Sequence, residues 1–215
     1  MAVVTISRLA GSGAEQIAQR TCELLGYDLL DKNLMAQVAA DVGLSGDEII
    51  DFSETDYKVK SFVERLLHPS PHYVGHVVTR DREASDAGTL SLKQLNESEC
   101  IELVRSTLRA AYHRGNMVIL GRGGQAVLQK MPGALHVRVE APWHARVVRI
   151  GMQRQVDEEE ARQLVAERER AVAEYLERFF GIRGDDPLHY HLVVNTGKWD
   201  LETAAQLVVN AVGLL

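Results

Sequence analysis

Residues Arg8 to Gln16, RLAGSGAEQ, follow the apolar run AVVTIS and lead into a helix-periodic segment. Glycines at a strand-to-helix turn let main-chain N–H groups approach an anion at the positive end of the helix that follows. The spacing approaches the phosphate-loop pattern G-x-x-x-x-G-K-[ST], with Gly13 as its second glycine. In that register Ala14 stands where the lysine belongs and Arg8 at the first glycine. Glu15 stands where a hydroxyl holds Mg2+, a place that falls to Gln16 if the spacing is one residue longer. Gly11, Ser12 and Gly13 can still cradle a phosphate through their amides; the same residues also suit a simple tight turn.

Other groups invite chemistry less strongly. His68, His72 and His76 are four apart, but Pro69 and Pro71 break the helix that would align them, so no metal site is assigned. His189 and His191 alternate around Tyr190 and fall on one face of an extended segment. Asp157 to Glu160, DEEE, reads as the acidic first turn of a helix. Of the 24 basic residues 18 are arginine, ten of them between Arg122 and Arg183. Guanidinium forks suit compact anions, while many of these arginines also have glutamate neighbours at helical spacing.

The elements that must position these residues follow from periodicity. A first helix places Ala14, Ile17, Ala18, Thr21, Cys22 and Leu25 on one face and stops at Gly26. Tyr27 to Asp31 reads as a short strand, and Leu34, Met35, Val38, Ala39 and Val42 as a second helix face ending at Gly43. Tyr57 to His68 repeats the helical pattern, whereas Pro69 to Asn96 reads as an irregular insertion. NESE at Asn96 opens a helix through His113, and NMVILG, ALHVRVE and LVVNT read as strands. Helices are expected from Pro142, from Asp157 to Phe180, and after Thr196. Alternating strands and helices imply a three-layer α/β/α fold on a parallel sheet, whose carboxyl rim should collect the turns after Ser7, Asp31, Gly121, Glu140 and Thr196.

Six segments in order, TISRLAGSGAEQIA, LGYDLLDKNLM, VILGRGG, APWHARVVRI, ERERAVAEYLERFFG and YHLVVNTGKWDLETAAQLV, resemble the cytidylate kinase-like family of P-loop proteins. The resemblance covers most of the chain except about Phe52 to Glu97. It implies a nucleoside monophosphate kinase fold in a single domain, with an acceptor-binding or inserted helical lobe at about 43–98 and a lid at about 150–185. It implies ATP and Mg2+ as cofactors and nucleotide substrates. On it, Gly11, Ser12, Gly13, Ala14, Glu15 and Gln16 form the phosphate-binding loop. Arg146, Arg149 and Asn195 are further nucleotide-binding residues, Asp31, Lys32 and Arg122 face the acceptor, and Arg8, Arg168 and Arg170 serve the transfer. Gly123 stands where the family's Gly-Arg-Asp has its aspartate, a departure that bears on base or sugar recognition. Bland roles are open to the same residues: Arg8 pairing with Asp31 or Glu15, and Asp31 capping the second helix.

A net charge of −6 argues against general nucleic-acid binding. No apolar run approaches the roughly 20 residues of a membrane span, and Cys22 and Cys100 fall on expected helices, as buried thiols in a reducing compartment do. A cytoplasmic protein, compatible with a homo-oligomer, is expected. Three functions fit: an ATP-dependent kinase of a nucleoside monophosphate or similar small phosphorylated acceptor, a non-catalytic nucleotide-binding module with a degenerate loop, and an interaction protein acting through Pro69 to Asn96.

Overall fold

The computed structural model describes residues 2–30, 75–80, 90–95 and 97–215. Five strands form one parallel sheet: β1 (Val3–Arg8), β2 (Asp28–Leu30), β5 (Met117–Leu120), β6 (Ala134–Glu140) and β7 (Leu192–Asn195), in the order β2-β5-β1-β6-β7. β1 lies centrally, with Val4 level with Val118 of β5 and Leu135 of β6. Helices α1 (Ala14–Leu25), α2 (Glu97–Arg114), α3 (Gly124–Val127), α4 (Trp143–Arg154), α5 (Glu158–Phe180) and α6 (Leu201–Val212) complete the layers, with a 3-10 turn at Pro187–His189.

Alternation along the strands divides the core. Val4 and Ile6 face α1 and α6, where Ile17, Ala18, Ala204, Ala205 and Val208 are fully buried. Val3, Met117 and Ile119 face the opposite layer, meeting Val104 and Leu108 of α2 and Tyr175 and Leu176 of α5. Each fully buried aliphatic side chain contributes about 1.5–3 kcal/mol, so the two layers hold the central strands from both sides. α4 and α5 make a third contact through Val147, Ile150, Ala161 and Val165, with Ala10 of the β1–α1 turn packed against them. Asp157 and Asp200 cap α5 and α6 by accepting hydrogen bonds from the amides of Glu160 and Thr203.

Most expected elements are present within a residue or two, and all five sheet strands run the same way, so the carboxyl rim exists as anticipated. The Pro69 to Asn96 segment differs from its irregular reading. Gly75–Arg80 and Leu90–Leu95 pair as antiparallel strands β3 and β4, Val78 opposite Leu92. Neither segment keeps a strict apolar–polar alternation, Val77 adjoining Val78 and Lys93 adjoining Gln94, so the period-2 signal of a strand is weak. The helices expected within residues 31–68, including Asp31 and Lys32, lie outside the described residues.

Candidate active site

The β1–α1 turn is fixed from behind. Gly11 has φ +75°, and a Cβ there would lie 2.6 Å from the Arg146 carbonyl oxygen, so only glycine lets the loop lie against α4. From α4, Arg146 Nε donates to the Ala141 carbonyl at 2.9 Å and Nη1 to the Ala10 carbonyl at 3.2 Å; the same guanidinium pairs with Glu169 of α5. Arg149 donates to the carbonyls of Gly11 (3.3 Å) and Ser12 (3.1 Å) and to Thr196 Oγ1 (2.8 Å) and its carbonyl (3.0 Å). Thr196 Oγ1 donates to the Ser12 carbonyl at 2.7 Å. A trans peptide carries its C=O and N–H on opposite sides. Holding the Ala10 and Ser12 carbonyls against α4 and β7 therefore turns the Gly11 and Gly13 amides to the other side of the loop.

Beside the loop lies a cavity of about 450 Å³, closed by Ile150 and Gln153 of α4 and by the second half of α5. Arg8, Gly11, Glu15, Arg138, Arg168 and Arg183 contribute to its wall, over an apolar floor that includes Val172 and Leu176. Arg8 Nε donates to Glu15 Oε1 at 3.0 Å. Ser12 is fully buried, and its Oγ makes no hydrogen bond among the described residues, an unsatisfied acceptor and donor within the loop itself.

The expected site residues thus separate. Arg8, Gly11, Glu15 and Arg168 meet at the cavity. Arg146 and Arg149 hold the loop from behind. Ala14 is fully buried in the layer between the sheet, α1 and α6; Gly13 caps α1 with φ 84°. Gln16 and Arg170 are exposed and outside the cavity wall. Asn195 caps a turn, its Oδ1 accepting from the Gly197 amide at 2.8 Å. Arg122 is buried at the end of β5 in a run of three left-handed residues, Gly121 (φ 72°), Arg122 (φ 59°) and Gly123 (φ 71°). A non-glycine residue in that region is strained by about 1–3 kcal/mol and marks a candidate functional position. At Gly123 a Cβ would come within 2.4 Å of the Phe180 ring, so the aspartate absent from this position would require that ring to move.

Arg138 and Arg183 were missed. Arg138 is buried at the β6 rim, where its Nε donates to Glu140 at 2.5 Å, its Nη1 to the Gly184 carbonyl, and its guanidinium lies over the Tyr190 ring at 5.6 Å. Burial works against its charge, but Glu140 and Tyr190 more than offset that and raise its pKa. The available signal was the polar alternation His136, Arg138, Glu140 in an otherwise apolar strand. His136 on that face accepts or donates at Nδ1 with Thr5 Oγ1, 2.8 Å away, and its amide donates to His191 Nδ1 at 2.9 Å. Burial, then the neighbouring His191, lowers the His136 pKa to about 4. Burial also pushes the Cys22 thiol up to about 11, an unreactive state. Among the described residues no three His, Cys, Asp or Glu side chains gather as a metal site, and no helix is long and apolar enough to cross a membrane.

Comparison with known proteins agrees with this geometry. The family model described as "Cytidylate kinase-like family" matches residues 3–198, and the chain belongs to that family. It is 26% identical to the cytidylate kinase of Pyrococcus horikoshii over 211 residues, covering 98% of this chain and 88% of that protein. It is 22% identical to the cytidylate kinase of Methanopyrus kandleri over 213 residues, covering 98% and 92%. Among solved structures, an uncharacterised protein from Eubacterium ventriosum superposes with a TM-score of 0.64 at 16% identity, covering 99% of both chains. The shikimate kinase of Bacteroides thetaiotaomicron gives 0.50 at 12% identity, covering 99% and 98%. These likenesses support the α/β P-loop kinase fold.

Proposed function

We propose that this member of the cytidylate kinase-like family transfers the γ-phosphoryl group of ATP to a nucleoside monophosphate or a similar small phosphorylated acceptor. One observation carries the reading: the braced glycine loop borders, through Gly11, a cavity walled by Arg8, Glu15 and Arg168 at the carboxyl rim of a parallel sheet. Phosphoryl transfer needs positioning and charge neutralisation more than covalent help. The Gly11 and Gly13 amides would hold donor phosphate oxygens. Arg8 would stand in for the missing lysine, Arg168 would face the moving group, and Arg122 would face the acceptor. In this division about 43–98 forms the acceptor lobe and about 150–185 the lid.

ATP with Mg2+ fits the residues present: the buried Ser12 hydroxyl lacks a partner, and the half-exposed Glu15 carboxylate supplies a hard oxygen at the cavity wall. Bound there, the cation would neutralise charge between the phosphates. Arg8 and Glu15 orient and balance charge at one side, and the apolar residues of α5 limit water at the other.

A thermal-shift panel of nucleoside mono- and triphosphates with Mg2+, followed by ADP-release assays on stabilising pairs, tests the reading. A ligand at 100 times its Kd adds about 2.7 kcal/mol, a rise of roughly 5–10 °C for a chain of this size. No shift with any triphosphate overturns the proposal. The burial of Ala14 where the lysine belongs favours one alternative, a nucleotide-binding module without transfer, for which the panel gives shifts and the assay no ADP.

A further inference from the structure

We infer that Glu15 is the residue of this chain that holds the divalent cation of a bound nucleotide, and that the Arg8–Glu15 ion pair is the resting form from which the two charges part. The inference rests on the nucleotide-site reading above. Arg8 from the end of β1 and Glu15 from the first turn of α1 reach the same cavity, joined at 3.0 Å. Arg8 is only 16% exposed and therefore fixed against the rim, while Glu15 is 58% exposed and free to swing. Gln16, the other residue that the motif spacing offers to a metal, is exposed but outside the cavity wall.

The electrostatics follow from these positions. A lysine followed by a hydroxyl adds a net positive charge at the loop; the Arg8–Glu15 pair adds none, and the other charges of the wall, Arg138, Arg168 and Arg183, face Glu169, Glu177 and Asp185 across the same cavity. A carboxylate in the first turn of α1 is favoured by the helix end, but there it repels a bare polyphosphate seeking the same amides. A divalent cation between them inverts that repulsion, because carboxylate and phosphate oxygens are both hard ligands. The Arg8 guanidinium, leaving Glu15, meets phosphate oxygens, so neither charge is stranded. Nucleotide binding in this chain is consequently tied to the metal more tightly than in a loop that carries lysine.

Calorimetric titration of the full chain with ATP, once in EDTA and once with saturating Mn2+, reads this directly, and the Mn2+ paramagnetic signal reports the metal itself. Wild type should bind ATP about 10-fold or more tightly with Mn2+ than without. Glu15→Gln should bind metal-free ATP as well as or better than wild type, with the Mn2+ enhancement reduced to twofold or less and the bound Mn2+ signal correspondingly weakened. Glu15→Asp should retain part of the enhancement. An unaltered enhancement in Glu15→Gln overturns the inference and leaves the nucleotide site standing, as does a wild-type enhancement below twofold, which needs no variant. If wild type binds ATP under neither condition, the nucleotide-site reading falls and this inference with it.

Discussion

Arg146 and Arg149 stand behind the β1–α1 loop, Arg8 and Arg168 in front of it, and the same side chain does opposite work in the two places. Behind, Arg146 is buried and both guanidinium groups are fastened mainly to carbonyl oxygens of the chain itself, with the Glu169 carboxylate as a further partner of Arg146. In front, the Arg8 guanidinium faces a carboxylate that can move, at the wall of a cavity. Fixed neutral acceptors make an arginine part of the scaffold; a mobile anion leaves its charge exchangeable for a ligand's. The contrast lives in what the guanidinium touches, which residue type and spacing do not reveal.

The largest effect should come from the front. Arg8→Ala is expected to lower turnover about 10³-fold or more, with only a modest loss of fold stability. Steady-state kinetics beside a melting curve decides it, and full activity would remove Arg8 from the transfer. Arg149→Ala should do the reverse in kind. Removing the donor to the Gly11 and Thr196 carbonyls, and leaving the Ser12 carbonyl to Thr196 Oγ1, should destabilise the chain by about 3 kcal/mol, a fall of roughly 6–12 °C, and loosen ATP binding with it. Arg149→Lys should rescue little, since an ammonium cannot span the same fork of acceptors. A variant melting like wild type would erase the distinction between the two faces.

His136 extends the scaffold side to pH. Its folded pKa of about 4 lies below the ordinary 6.5, so between those values the unfolded chain takes up a proton that the folded chain refuses. Stability contributed by the neutral ring is present above pH 6.5 and is lost as pH falls towards 4, by up to about 3 kcal/mol. Denaturant midpoints measured across that window should show the decline, and His136→Gln should flatten it. The smallest effect belongs to Arg170, exposed and away from the cavity. Arg170→Ala should leave turnover within about twofold; a tenfold loss would move Arg170 to the front group and imply that α5 turns during the reaction.

Much of this architecture was legible in the sequence because local rules govern it. The apolar runs of β1, β5 and β6, the helical face Ala14, Ile17, Ala18, Thr21 and Cys22, and the acidic start of α5 each carry their own period or cap. The β3–β4 ribbon was lost because GHVVTR and LSLKQL break the apolar–polar alternation of a strand, and the short α3 because four residues carry no period. At the site, Arg8, Gly11 and Arg168, singled out by type and order, all line the cavity. Arg138 and Arg183 were not singled out, because they reach the cavity only through the pairing of β6 with β1 and the return of the chain after α5. The i, i+3 spacing of Arg146 and Arg149 correctly put them on one helix face but could not say that this face looks at the back of the loop.

The burial of Ala14 carries an evolutionary consequence. Its methyl is wedged in the apolar layer shared with α1 and α6, so a single codon change restoring a long basic side chain would overfill that layer before any catalytic benefit accrued. Placing a lysine there would take coordinated substitutions at several neighbours, so a cation for this loop is more readily supplied from position 8, at the cavity wall, than from position 14.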